Sequence, residues 1–180
     1  MPGCGKSTIG RHLARARGLT FVDSDHEIEQ RIGCSIRDYF EHAGEAAFRA
    51  IETDTIGALA RRPDVVLATG GGAVVREENR RALRGGMLVV YLCAQPDDLA
   101  RRLAHDTTRP MLQVADPRQK LRELFAQRDP LYRECAHFVV DTARKSVPVL
   151  VNLIAMQIDL HPLPPGHPGD APGAPPPSHG

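Results

Sequence analysis

Gly3-Cys4-Gly5-Lys6-Ser7-Thr8, at the very start of the chain, decides how everything after it is read. A glycine-rich turn ending in Gly-Lys-Ser presents backbone N–H groups to phosphate oxygens. The lysine neutralises charge on the outer phosphates, and the serine hydroxyl can ligate a magnesium ion. The complete pattern is G-x-x-x-x-G-K-[ST], and its first glycine would fall one position before Met1. A chance Gly-Lys-Ser at a helix start is the competing reading. Ile9 and Leu13, spaced i,i+4 directly after the turn, supply the helix that the phosphate-binding motif demands.

Outward from this loop, short apolar runs alternate with helical patterns. Leu19–Val22, Val65–Ala68, Met87–Leu92 and His137–Val140 read as strands covered on both faces, as in a parallel sheet. Phe48, Ile51, Thr55 and Leu59 mark one helix face, Leu121, Leu124 and Phe125 another. Leu150, Ile154 and Ile158 mark the last, with Pro148 in its first turn. Such alternation predicts a doubly wound α/β fold with right-handed crossovers.

The chain has 180 residues and net charge +1, which fits one domain and gives no reason to expect a nucleic-acid or membrane partner. Lys6 is the only lysine before Lys120, and it stands where the motif needs one. The four cysteines form no C-x-x-C pair, so a reduced cytoplasmic protein is expected rather than a disulfide scaffold. Residues 161–180 hold eight of the fifteen prolines and one large apolar residue, Leu163, and predict a disordered tail. The folded domain is therefore set at residues 1–160.

Three further constellations carry chemistry. Asp23-Ser24-Asp25 follows the first strand run, at the strand end where ligands of open α/β sheets bind. One acid can serve a metal and the other a substrate hydroxyl; helix capping is the alternative use. Thr69-Gly70-Gly71-Gly72 ends the next strand and lets a ligand approach the backbone, or simply makes a turn. Arg49, Arg109 and Arg133 stand out from the other arginines only by their neighbours, Phe48, Pro110 and Leu131-Tyr132.

With these residues in view, the chain resembles a shikimate kinase from Met1 to about Ile158. The resemblance is carried by the Gly3–Thr8 loop, Asp23-Ser24-Asp25, Gly44-Glu45 with Phe48-Arg49, Thr69-Gly70-Gly71-Gly72, Arg109-Pro110 and Pro130-Leu131-Tyr132-Arg133. It implies a P-loop NTPase fold with a parallel sheet of order 2-3-1-4-5, and phosphoryl transfer from ATP to the 3-hydroxyl of shikimate. On that resemblance Gly3, Cys4, Gly5, Lys6, Ser7 and Thr8 hold the ATP phosphates, and Arg102 stacks on adenine. Ser7 binds Mg²⁺, and Asp23 reaches the metal through water. Asp25 holds the shikimate hydroxyls and accepts a proton; Arg49 and Arg133 grip the carboxylate, and Gly71 offers backbone contact. Arg109, on a lid spanning about residues 105–117, reaches the phosphates, so that Lys6, Asp25 and Arg109 form the catalytic set. A cytoplasmic monomer is implied.

The family carries an apolar strand and a glycine ahead of the position where this sequence begins. That strand is central in the order 2-3-1-4-5. The expectation is therefore a sheet lacking its middle strand, and a natural protein about ten residues longer, as the family pattern requires. Two other readings compete: a different small-molecule P-loop kinase of gluconate or nucleotide kinase type, and a nucleotide-binding relative without catalysis. Asp25, Arg49, Gly71 and Arg133 together favour a hydroxylated carboxylic acid as acceptor.

Overall fold

Four short β-branched and aromatic runs form the strands, and the first two end at the Asp23-Ser24-Asp25 and Thr69–Gly72 stretches singled out above. In the computed structural model, which describes residues 1, 3–103, 114 and 116–161, they are β1 (Thr20–Asp23), β2 (Val65–Ala68), β3 (Val90–Cys93) and β4 (Phe138–Asp141). The helices are α1 (Lys6–Arg17), α2 (Ser24–Ile32), α3 (Ile36–Leu59), α4 (Glu77–Gly86), α5 (Pro96–Leu103), α6 (Pro117–Cys135) and α7 (Val147–Leu160). A single 3-10 turn, Ala73–Val75, links β2 to α4.

The strands pair in two parallel ladders. Thr20 faces Val65 and Asp23 faces Ala68 in the first; Val90 faces Phe138 and Cys93 faces Asp141 in the second. These are the 2-3 and 4-5 neighbours of the expected order. Among the described residues no strand joins β2 to β3. Between them lies an apolar cavity of about 490 Å³, lined in part by Met1, Leu13, Leu67, Leu92, Tyr132 and Ile154. Among the described residues, each strand next to this space has a ladder partner on one side only, and half of its backbone groups make no sheet hydrogen bonds there.

Helix packing closes the layers. Ile56, Leu99 and Leu121 are fully buried, and Ile9, Leu13 and Ile154 pack α1 and α7 against the same core. The third strand run begins later than expected, at Val90, because α4 extends to Gly86 and Met87 caps it by donating its N–H to the Leu83 carbonyl. Helix α3 is bent at Gly44, whose φ of 81° no side-chain-bearing residue adopts cheaply. The bend lets its second half start afresh at Glu45 and run its Phe48–Glu52–Thr55–Leu59 stripe along the core. That stripe replaces the expected Ile51 with a buried carboxylate, Glu52. The expected lid, including Arg109, lies outside the described residues except for Val114, Asp116 and Pro117, and so does the expected tail beyond His161.

Candidate active site

The loop Gly3–Gly5 ends in a helix start with no side-chain cap, so the first-turn N–H groups of α1 remain available to an anion. Lys6 Nζ lies over this loop and donates to the Met1 carbonyl at 2.9 Å. The Cys4 thiol donates to the same carbonyl at 3.1 Å, beneath the loop and buried. In the first turn of α1, Ser7 Oγ donates to Asp23 Oδ2 at 3.1 Å.

Asp23 thus performs two of the tasks that its position allows. Its Oδ1 accepts the Asp25 N–H at 3.1 Å and caps α2, while its Oδ2 holds Ser7. Ser24, fully buried, turns the other way and accepts the Gly70 N–H at 3.1 Å. The end of β1 is thereby tied to the phosphate loop on one side and to the glycine run on the other. Burial pushes the Asp25 carboxyl up to about 6, with the charges of Asp23 and Glu52 adding to the shift and Lys6 opposing it.

Gly70, Gly71 and Gly72 form a ribbon on which three functional side chains lie, one at each residue. A methyl group on Gly70 would collide with the Asp25 carboxylate, and one on Gly72 with the Arg49 guanidinium. At Gly71 it would meet Tyr132 Oη and Arg128 Nη1 at 3.5 and 3.6 Å. Both of these groups donate to the Gly71 carbonyl, Tyr132 at 2.6 Å and Arg128 at 3.0 Å. Arg49 is clamped in turn: Nη1 donates to Glu52 at 2.6 Å, and Glu45 takes Nε and Nη2 at 3.3 Å. The Phe48 ring lies 5.3 Å from its guanidinium carbon.

Arg133 is not part of this group. Its side chain is 52% exposed and its Nε donates to Asp129 at 2.7 Å. The physical reason is helical phase. Leu121, Leu124, Tyr132 and Cys135 are the buried stripe of α6, and position 128 continues it at i+4 from Leu124 and i−4 from Tyr132. Position 133 is rotated about 100° from Tyr132 toward solvent. The cation that accompanies Arg49 on the glycine ribbon is therefore Arg128. An arginine lying on an otherwise apolar helix stripe was the available signal. Arg102, on α5, donates to the Thr142 carbonyl at 3.1 Å just past β4.

The arrangement offers an anion site at the start of α1, a hydroxyl-carboxylate oxygen pair, and a separate glycine ribbon carrying a basic carboxylate and two guanidinium groups. Hard oxygen donors such as Ser7 Oγ and Asp23 suit Mg²⁺. A planar carboxylate is the natural partner for the guanidinium forks.

Comparison with known proteins agrees in sequence and in shape. Residues 2–159 match the family model described as shikimate kinase. The shikimate kinase of Paracidovorax citrulli is 58% identical over 163 residues, covering 89% of this chain and 89% of that protein. That of Burkholderia lata is 54% identical, covering 88% and 86%. A solved structure described as shikimate kinase from Acinetobacter baumannii in complex with shikimate superposes with a TM-score of 0.83 at 45% identity, covering 88% of each chain. One from Bacteroides thetaiotaomicron superposes at 0.81 with 28% identity, covering 88% of this chain and 94% of that one.

Proposed function

The chain belongs to the shikimate kinase family, and we propose that it moves the γ-phosphoryl group of ATP to the 3-hydroxyl of shikimate through the residues just described. The observation that carries the assignment of residues is the glycine ribbon, with Asp25, Arg128 and Arg49 placed one to each glycine. Shikimate has one carboxylate and three hydroxyls. It asks for planar cations at one end and a carboxylate acceptor at the other, and offers little apolar surface to bury.

Phosphoryl transfer depends on positioning and charge stabilisation more than on covalent catalysis. The uncapped start of α1 and the Gly3–Thr8 backbone take the phosphates, and Lys6 exchanges the Met1 carbonyl for their charge. Ser7 and Asp23 would hold Mg²⁺, Asp23 through water; when bound, the ion neutralises the phosphate oxygens. Arg49 and Arg128 fork onto the acceptor carboxylate and fix the ring. Asp25 orients the acceptor hydroxyl and takes its proton; with a pKa near 6 it is ionised at neutral pH yet more basic than an ordinary carboxylate. Arg109, from the expected lid, adds charge around the transferring group, and Arg102 covers the adenine. The four free cysteines, three of them buried, suit a reducing compartment, and we place the enzyme in the cytoplasm as a monomer.

ADP release from MgATP, coupled to a dehydrogenase readout, tests the reading when run with and without shikimate. Shikimate-dependent ADP release is the expected result. Release stimulated by gluconate or a nucleoside monophosphate instead, or none with any acceptor, overturns it.

A further inference from the structure

The Gly71 carbonyl takes two donors from a single turn of α6, and the two differ in what surrounds them. Arg128 reaches it with one guanidinium nitrogen at 3.0 Å. Tyr132 Oη, at 2.6 Å, is the shorter of the two. A carbonyl oxygen has two lone pairs, so both are in use. Tyr132 is itself held firmly. Its ring stacks on Tyr91 with centroids 4.8 Å apart, and Tyr91 Oη donates to Asp129 at 3.0 Å, one turn back on the same helix. Its oxygen also accepts the Met1 amine at 3.2 Å, which leaves the phenolic hydrogen for Gly71.

We propose that Tyr132 is a positioning residue for the acceptor site: its hydroxyl pins the Gly71 carbonyl to α6 and so sets the place at which Arg128 meets the acceptor carboxylate. The inference rests on the reading of this pocket as the shikimate site. Arg128 is anchored by one nitrogen to a backbone oxygen whose own position Tyr132 determines. Its other nitrogens then point from a fixed origin. Without the phenolic hydroxyl the carbonyl keeps one donor, and the ribbon can shift relative to the helix that carries the cation. Burial pushes the Tyr132 phenol up to about 12, so the group remains a donor throughout the working pH range.

Tyr132→Phe removes the hydroxyl and keeps the stacked ring. The expected result is a KM for shikimate raised about five- to tenfold, the loss of one positioning hydrogen bond, with kcat and the KM for ATP within about twofold of wild type. In an Arg128→Lys background the same substitution is expected to add less than about twofold, because the geometry it protects is already gone. A role in stability alone would lower the melting temperature, leave the shikimate KM unchanged and give additive effects with Arg128→Lys; that outcome overturns the proposal. So does a Tyr132→Phe protein without a cooperative melt where wild type has one. Wild type lacking shikimate-dependent ADP release overturns the functional reading and this inference with it. Wild-type activity with an unchanged KM in Tyr132→Phe overturns this inference alone.

Discussion

Arg49 Nη1 lies 2.6 Å from Glu52 Oε2, one turn apart on α3, and the Glu52 side chain is only 3% exposed. Neither charge can be understood without the other. The buried Glu52 carboxylate has a guanidinium facing it, and Arg49 is aimed at the glycine ribbon because Glu52 and Glu45 hold it there. Removing one partner of a buried pair leaves the other uncompensated, at a cost of about 3–5 kcal/mol.

Arg49→Ala is therefore expected to lower stability as well as shikimate binding. Adding Glu52→Gln to Arg49→Ala should recover much of the lost stability, measured by urea unfolding, and none of the activity. Equal stability of the single and double variants would show that Glu52 is not left uncompensated when Arg49 is removed.

Asp25 offers a test by pH. Its folded-state pKa of about 6 lies above the ordinary carboxylate value. The folded state therefore holds a proton that the unfolded chain releases, and stability falls as pH rises from about 4 to about 6. Asp25→Asn should be more stable than wild type at pH 7, by about 1–3 kcal/mol, with the gain vanishing toward pH 4. The same variant should lose at least about a hundredfold in kcat as the hydroxyl loses its base. The wild-type kcat should fall with acid below an apparent pKa near 6. A flat profile from pH 5 to 8 would remove Asp25 from the proton transfer.

Arg128 and Arg133 make opposite forecasts. Arg128→Ala is expected to raise the KM for shikimate by about ten- to a hundredfold, the value of a charge-assisted bond. Arg133→Ala, exposed and paired with Asp129, should stay within about twofold of wild type. Steady-state kinetics on both variants checks the assignment; a reversal would restore Arg133 to the site.

The cavity between β2 and β3 gives a stability prediction. Met1 lines it, so residues added ahead of Met1 are expected to enter it. An extension of about five apolar residues should pair with both inner strand edges, each bond contributing about 0.5–1.5 kcal/mol. Its melting temperature should rise by several degrees over the chain described here. An unchanged melting temperature would mean that the extension does not add to the ladders.

Much of the arrangement was readable in one dimension because its signals are local. The Gly3–Thr8 turn, the apolar runs of β1 to β4 and the Asp23-Ser24-Asp25 triplet are short, contiguous and tied to backbone geometry, so composition and order alone place them at strand ends and helix starts. Asp23 caps α2, one of the uses that its position suggested, and also accepts a hydrogen bond from Ser7. The sheet order expected from the resemblance survives as two separate ladders for the same reason: pairing follows the strands that are present.

What sequence could not decide was which side of a helix faces inward when charged residues crowd it. Arg128 and Arg133 lie on the same helix of nineteen residues; helical phase puts Arg128 on the buried stripe, and packing against Gly71 and the Tyr91–Tyr132 stack shows which site that stripe serves. Glu52 was not among the residues that the sequence marked for this helix face; in the fold it is buried beside Arg49 in the half of α3 that follows the bend at Gly44. The chain's order of residues determined the chemistry on offer: a phosphate turn, two acids, three glycines and a choice of arginines. Tertiary structure determined which of them meet, because burial and directional hydrogen bonds act between residues that are far apart along the chain.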